Sequence, residues 1–356
     1  MNDTLCPHTT WFDILTFGVR GLAWSDEARE APFDRYPAVL KQPLDEDLWR
    51  LCTESAGLYV DFQTASNRIH VRWTMAPARA GRHVSFMAPV AHSGMDLYGK
   101  DTNGRWWWVG ACPADSSADG AAANTGNGVL NRTLLDGQLR TYRLYLPLLR
   151  RMERCEIGSS YAHATNVTSR SHPIAYYGTS IVHGVAVDRP GMTHAAQLGR
   201  LLGREVYNLG VSGRARCEPE IARALARLHV DLYIIDVLPN NSAGEIEERL
   251  PHFLHALRRI DTTTPVLLIG DRTFADAAFC PERNALKQAK DRVLLDIVDQ
   301  LGSDGINRFY TALHPDWFGE DRDGTVDGSH PNSLGAYRFA HSLLPFVQAH
   351  LESGAV

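Results

Sequence analysis

The hydrophobic period of this 356-residue chain changes near residue 172, and no other feature of the sequence restricts the fold as strongly. From about residue 57 to 149, apolar and polar positions alternate. "GLYVDF" and "NRIHVRW" flank a turn-forming "TASN", and "HVSFMAPV", "MDLYGKD", "RWWWVGA" and "TYRLYLPLL" follow at hairpin spacing. A period of two turns one face of each strand to a core, so this half is expected to be an antiparallel β-sandwich. Successive tryptophans on a strand alternate faces, so "RWWWVG" is expected to pack in the core and leave one ring exposed, with a sugar-stacking platform as the alternative. The small, polar "PADSSADGAAANTGNG" is expected to be a long exposed loop.

After residue 172, short apolar runs alternate with helical stretches. "PIAYYG", "EVYNLG", "VDLYIIDVL", "TPVLLIGD" and "GINRFY" are the expected strands, each followed by an amphipathic segment such as "THAAQLGRLLG" or "SLGAYRFAHSLLPFVQAHL". That alternation predicts a five-stranded parallel sheet with helices on both faces. Right-handed crossovers place every strand's carboxyl end along one edge, where open α/β sheets hold their sites. Two domains are therefore expected, 1–170 and 171–356.

Composition narrows the function. The formal net charge is -5, so nothing favours a polyanionic partner, and nucleic acid is set aside. No stretch approaches 18 apolar residues, which argues against a membrane span, and "MNDTLCPHTTWFDILTFG" lacks the pattern of a secretory signal. A cytoplasmic location is the expectation, or secretion if a signal peptide has been removed. The six cysteines contain no CxxC pair and are expected to be reduced thiols acting as small apolar residues. His252 and His255 stand three apart in a charged helix with no third ligand at a suitable spacing, so no metal site is expected.

"YYGTSIVHG" raises three readings for Ser180: a helix N-cap, part of an anion cradle, or a nucleophile on a sharp strand-to-helix turn. No GK[ST] follows Gly184 and no GxGxxG is present, so a phosphate loop and a dinucleotide fold are set aside. The remaining strand ends decide. "GVSG" follows the second strand, "PNN" follows the third, and "DGSHP" precedes the last helix. Serine needs a base to take its proton, histidine suits that role, and a carboxylate fixes the imidazole tautomer. Ser180, His330 and Asp327 fill these three roles. Gly210 and Asn240 are the candidate oxyanion donors, with Asn241 a competitor. His183, Arg214 and Trp317 are candidate substrate-binding residues; the alternatives are packing for His183 and Trp317 and a solvent-facing side chain for Arg214.

"GTSI", "NLGVSG", "LPNN" and "DGSHP", in this order, resemble the four blocks of the SGNH hydrolases, also called GDSL esterases and lipases. The half containing "YPAVLKQPLDEDLWRLCTESAGLYVDFQTASNRIHVRW" resembles the jelly-roll-like β-sandwich that precedes the hydrolase domain in one two-domain subgroup. The resemblance implies a flavodoxin-like α/β/α domain, a nucleophile at Ser180, and an oxyanion hole from the Ser180 and Gly210 N–H groups and the Asn240 amide. It also implies an ester hydrolase acting on short acyl groups of a small-molecule substrate, an acylated sugar first among them, with no cofactor. An acyltransferase on the same site and a non-catalytic sugar-binding module are the alternatives. The third block reads "LPNN" rather than GxND, and Thr179 stands where the GDS form has aspartate.

Overall fold

A computed structural model describes residues 9–77, 84–114, 124–164 and 172–352. The chain forms two compact units: one comprises Met1–Ala38, Cys52–Ser169 and Val187–Gly191, the other Val39–Leu51, Arg170–Ala186 and Met192–Val356. The expected division at residue 170 thus has two short departures, one of them holding most of helix α1 (Glu46–Cys52).

The first unit contains two antiparallel sheets. Its strands are β1 (Thr10–Asp13), β2 (Val19–Arg20), β3 (Tyr59–Thr64), β4 (His70–Met75), β5 (Met95–Lys100), β6 (Trp106–Cys112), β7 (Thr125–Val129), β8 (Arg140–Tyr145), β9 (Met152–Ser159) and β10 (His163–Ala164). One sheet runs β1-β9-β4-β7, and the other β10-β3-β8-β5-β6 with β2 paired to β3. Both contribute to one core, which includes Phe62, Val71, Leu97, Tyr142 and Ile157.

Three expectations fail here, each for a local reason. "HVSFMAPV" is not a strand: Pro89, at a first-turn position, opens helix α2 (Pro89–Ser93). His83 of that stretch lies outside the described residues, as do 115–123 of the expected loop and Cys6. The end of that expected loop is strand β7. Its glycines are required by packing, because a Cβ on Gly126 would stand 2.5 Å from Trp73 and one on Gly128 2.4 Å from Cys112 Sγ. Finally, two tryptophans are exposed rather than one, Trp107 at 51% and Trp108 at 53%. Strand β6 is a sheet edge, and Trp106, Trp107 and Trp108 keep consecutive register with Lys100, Gly99 and Tyr98, so the rings alternate and the edge position leaves one exposed on each face.

In the second unit, β11 (Ile174–Gly178), β12 (Val206–Gly210), β13 (Leu232–Asp236), β14 (Val266–Ile269) and β15 (Phe309–Ala312) form a parallel sheet in the order β12-β11-β13-β14-β15. The helices are α3 (Ser180–His183), α4 (His194–Leu202), α5 (Pro219–Leu225), α6 (Ala243–Arg258), α7 (Pro281–Ser303) and α8 (Ser333–Glu352). Adjacent tyrosines of β11 show why the strands read as continuous apolar runs. Tyr176 packs edge-on against His194 of α4, while Tyr177 stacks on Phe253 of α6 from the opposite face, with centroids 5.2 and 5.6 Å apart. Local signals set the helix ends: Ser242 and Glu245 form a reciprocal capping box at α6, and Gly203, at φ +63°, ends α4. This is the expected three-layer α/β fold. Among the described residues no helix is long and apolar enough to cross a membrane. Of the described cysteines all are free, four buried and Cys280 partly exposed.

Candidate active site

Strand β11 is buried along its length and ends at Gly178, where a Cβ would stand 2.5 Å from Val182 Cγ2 and 2.7 Å from the Asp236 carbonyl oxygen. Without a side chain there, the chain turns directly from strand into α3. Thr179 occupies the N-cap, its Oγ1 accepting the Ile181 N–H at 3.4 Å. Ser180 is therefore the first helical residue and not the cap. Its N–H has no acceptor within the helix, and its side chain, 7% exposed, is directed to a distant partner.

That partner is His330. Ser180 Oγ and His330 Nε2 are 2.8 Å apart, and His330 Nδ1 lies 2.7 Å from Asp327 Oδ2. The short sequence between acid and base forms a tight loop. Asp327 Oδ1 accepts the N–H groups of Ser329 at 3.0 Å and His330 at 2.7 Å, Gly328 adopts φ +86°, and the Val326 N–H donates to the His330 carbonyl. The Ala275 N–H, from the segment after β14, holds the Gly328 carbonyl at 3.1 Å. Burial pushes the Asp327 carboxyl up, but the hydrogen bonds from the His330 N–H, the His330 ring and the Ser329 N–H outweigh it and bring the carboxyl below its ordinary value. An ionised carboxylate only accepts, so His330 Nδ1 carries the proton and the Nε2 lone pair faces Ser180 Oγ.

The glycine loop after β12 departs from expectation. Gly210 N–H donates to Asn208 Oδ1 at 3.0 Å, so it is committed inside the loop. A Cβ on Gly210 would stand 2.1 Å from the His183 backbone nitrogen. This glycine is a packing requirement, and the oxyanion role expected for it is not supported. Asn208 Nδ2 donates to the Val182 carbonyl at 2.8 Å, Val211 N–H to the Gly178 carbonyl at 2.9 Å, and Ser212 N–H to His183 Nδ1 at 3.2 Å. The first loop N–H left over belongs to Gly213, at φ +76°, which donates to no other group among the described residues.

Asn240 and Asn241 differ in the same respect. Asn241, 2% exposed, donates its amide to the Ala215 carbonyl at 3.2 Å and the Val237 carbonyl at 2.7 Å, which uses both hydrogens. Asn240, partly exposed, donates one to the Arg214 carbonyl at 2.5 Å and keeps the other.

Of the expected substrate-binding residues, His183 is fully buried and Trp317 is 1% exposed. Trp317 packs against Phe339 and Phe346 in the sheet's core, because the chain after β15 folds back under α8. Trp317 nonetheless borders a small cleft with Thr273, Ala275 and Thr325. Arg214 is paired with Asp45 at 2.8 Å and with Asp47 at 3.9 Å. His252 and His255 are exposed on α6, and no group of three or more potential metal ligands occurs among the described residues. In the sequence Gly213 figured only as the end of "GVSG", with the donor role given to Gly210, and Asn208 was not singled out. The only signal for them was the "NLGVSG" block itself, which contains two glycines and does not say whose N–H is spent.

Residues 171–348 match the model of the GDSL-like lipase/acylhydrolase family, and residues 9–164 match that of the N-terminus of SGNH-hydro-type esterases. No curated protein matches the chain. Among solved structures, the chain is 28% identical to a GDSL-like lipase candidate from Bacteroides ovatus, covering 97% of this chain and 98% of that one with a TM-score of 0.87. A salicylyl-acyltransferase, SsfX3, from a tetracycline biosynthetic pathway is 17% identical over 99% of both chains with a TM-score of 0.74. A family two carbohydrate esterase from Clostridium thermocellum is 12% identical over 83% of this chain and 93% of that one, with a TM-score of 0.54.

Proposed function

The chain belongs to the GDSL-like lipase/acylhydrolase family, and from that premise we propose that it is a serine esterase removing short acyl groups, acetyl first, from a polar small molecule such as a sugar. The observation that carries the reading is the relay of Ser180 Oγ, His330 and Asp327, with successive separations of 2.8 and 2.7 Å. Ser180 Oγ attacks the ester carbonyl carbon while its proton passes to His330 Nε2, and Asp327 stabilises the imidazolium. The carbonyl oxygen, now negative, is met by the Ser180 and Gly213 N–H groups and the free Asn240 amide hydrogen. Collapse expels the alcohol, which takes the proton from His330. Water then repeats the sequence on the acyl-enzyme and releases the carboxylic acid and free Ser180. As written, the reaction uses no metal and no cofactor.

The segments beside these groups, "GVSGRAR", "PNNSAGE" and "FGEDRDGTVDGSHPNS", are polar or charged. Such borders suit a hydroxyl-rich leaving group better than a lipid. The folds that this chain resembles include carbohydrate esterases and an acyltransferase, and transfer to an alcohol would use the same atoms. The deciding experiment is to trap the acyl-enzyme with p-nitrophenyl acetate and offer it water or sugars. Release of acetate in water without added alcohol is expected, and acylated sugar formed in preference to acetate would replace hydrolysis by transfer. Wild-type turnover in purified Ser180→Ala would overturn the serine mechanism.

A further inference from the structure

Within the esterase reading above, we propose that His183 is the positioning residue for the oxyanion donor at Gly213, acting through its hydrogen bond with the Ser212 N–H. The nucleophile and His183 occupy the first and last positions of the one-turn helix α3, so both are carried by one rigid element. His183 is fully buried, and its Nδ1 accepts the Ser212 N–H at 3.2 Å. Gly210 packs so tightly against the same turn that the root of the loop has no room to shift, and Val211 is tied to Gly178. Each N–H from Gly210 to Ser212 thus has a named acceptor on or beside the nucleophile turn. The peptide after them presents the Gly213 N–H. Ser212 is the last anchor before that donor, and its acceptor is a side chain, so a single substitution can release it.

A ring nitrogen that accepts an N–H carries no proton, so His183 Nδ1 serves the Ser212 N–H as an acceptor. It is a structural counterpart to His330, which exchanges a proton in each half-reaction.

The test compares His183→Leu, His183→Asn and His183→Gln in the full chain. Kinetics with p-nitrophenyl acetate are read beside amide hydrogen exchange at Ser212. In His183→Leu the Ser212 amide should exchange about tenfold faster or more, and kcat should fall about 10²-fold with KM within about threefold. Asn places its carbonyl oxygen near the Nδ1 position and should return both readouts to within about threefold of wild type. Gln carries its oxygen one bond further and should not. Where Leu lowers the thermal midpoint, the comparison of Asn with Gln at matched midpoints decides. Wild-type kcat and exchange in His183→Leu, or Asn no better than Gln, would reduce His183 to packing. If wild-type protein hydrolyses no ester, the esterase reading fails separately, and the exchange rates still decide whether His183 holds the loop.

Discussion

Gly210 donates its N–H to the side-chain carbonyl of Asn208 at 3.0 Å, and a Cβ at this glycine would stand 2.1 Å from the His183 backbone nitrogen. Gly210→Ala therefore has no space to enter without moving the nucleophile turn. It should destabilise the protein by about 3 kcal/mol or more. Gly213→Ala meets nothing within 4 Å and incurs only its positive φ, about 1–2 kcal/mol. Urea melts of the two variants should rank in that order, and the reverse order would refute the packing role of Gly210.

Asn240→Ala should lower kcat by roughly 10²- to 10³-fold with a smaller change in KM, because one of its amide hydrogens is free to meet charge that develops in the transition state. Asn241→Ala should act on stability instead. It strips two buried carbonyls of their donor, at about 1–3 kcal/mol. Steady-state kinetics and thermal melts on both variants check the separation; a kcat loss of similar size in Asn241→Ala would contradict it.

The Asp327 carboxyl lies below its ordinary value in the folded protein, since hydrogen bonds from the 327–330 loop overcome burial. A depressed acid stabilises the fold fully above its unfolded pKa and loses that contribution as pH falls through the lower folded one. The stability difference between wild type and Asp327→Asn should accordingly be flat from neutral pH to about pH 4 and vanish below it. Denaturation at a series of pH values tests this. A difference that grew on acidification would reverse the sign and the assignment. At neutral pH the same variant should lose roughly 10³-fold or more in kcat, because Nδ1 would no longer be held as the donor.

Chain-length preference follows from the polar segments bordering Ser180. Each methylene that stays in water forgoes about 0.8 kcal/mol of available binding energy. The value of kcat/KM should fall from acetyl to butyryl to octanoyl p-nitrophenyl esters. A preference for octanoyl would indicate an apolar acyl surface and remove the short-acyl reading.

Much of this protein was legible before folding. The change from a period of two to alternating apolar runs and helices is a local consequence of which face each residue must bury, so it named both sheet types and the order of the parallel strands' helices. Residue type at the strand ends brought Ser180, Asp327 and His330 forward, because few side chains suit each role, and the structure places them in hydrogen-bond contact across 150 residues of chain. The failures share one physical origin. Gly210 and Gly213 are identical in the sequence, as are Asn240 and Asn241, and what separates them is which N–H already has an acceptor. His183 and Trp317 look like site residues by position, yet burial turned one toward Ser212 and the other into the core beneath α8. Trp107 and Trp108 alternate as expected, yet their strand lies at a sheet edge and both rings are exposed. Periodicity and residue chemistry are properties of the chain itself. Whether a donor remains unspent depends on groups that only the folded backbone brings within 3 Å, and that the tertiary structure alone decided.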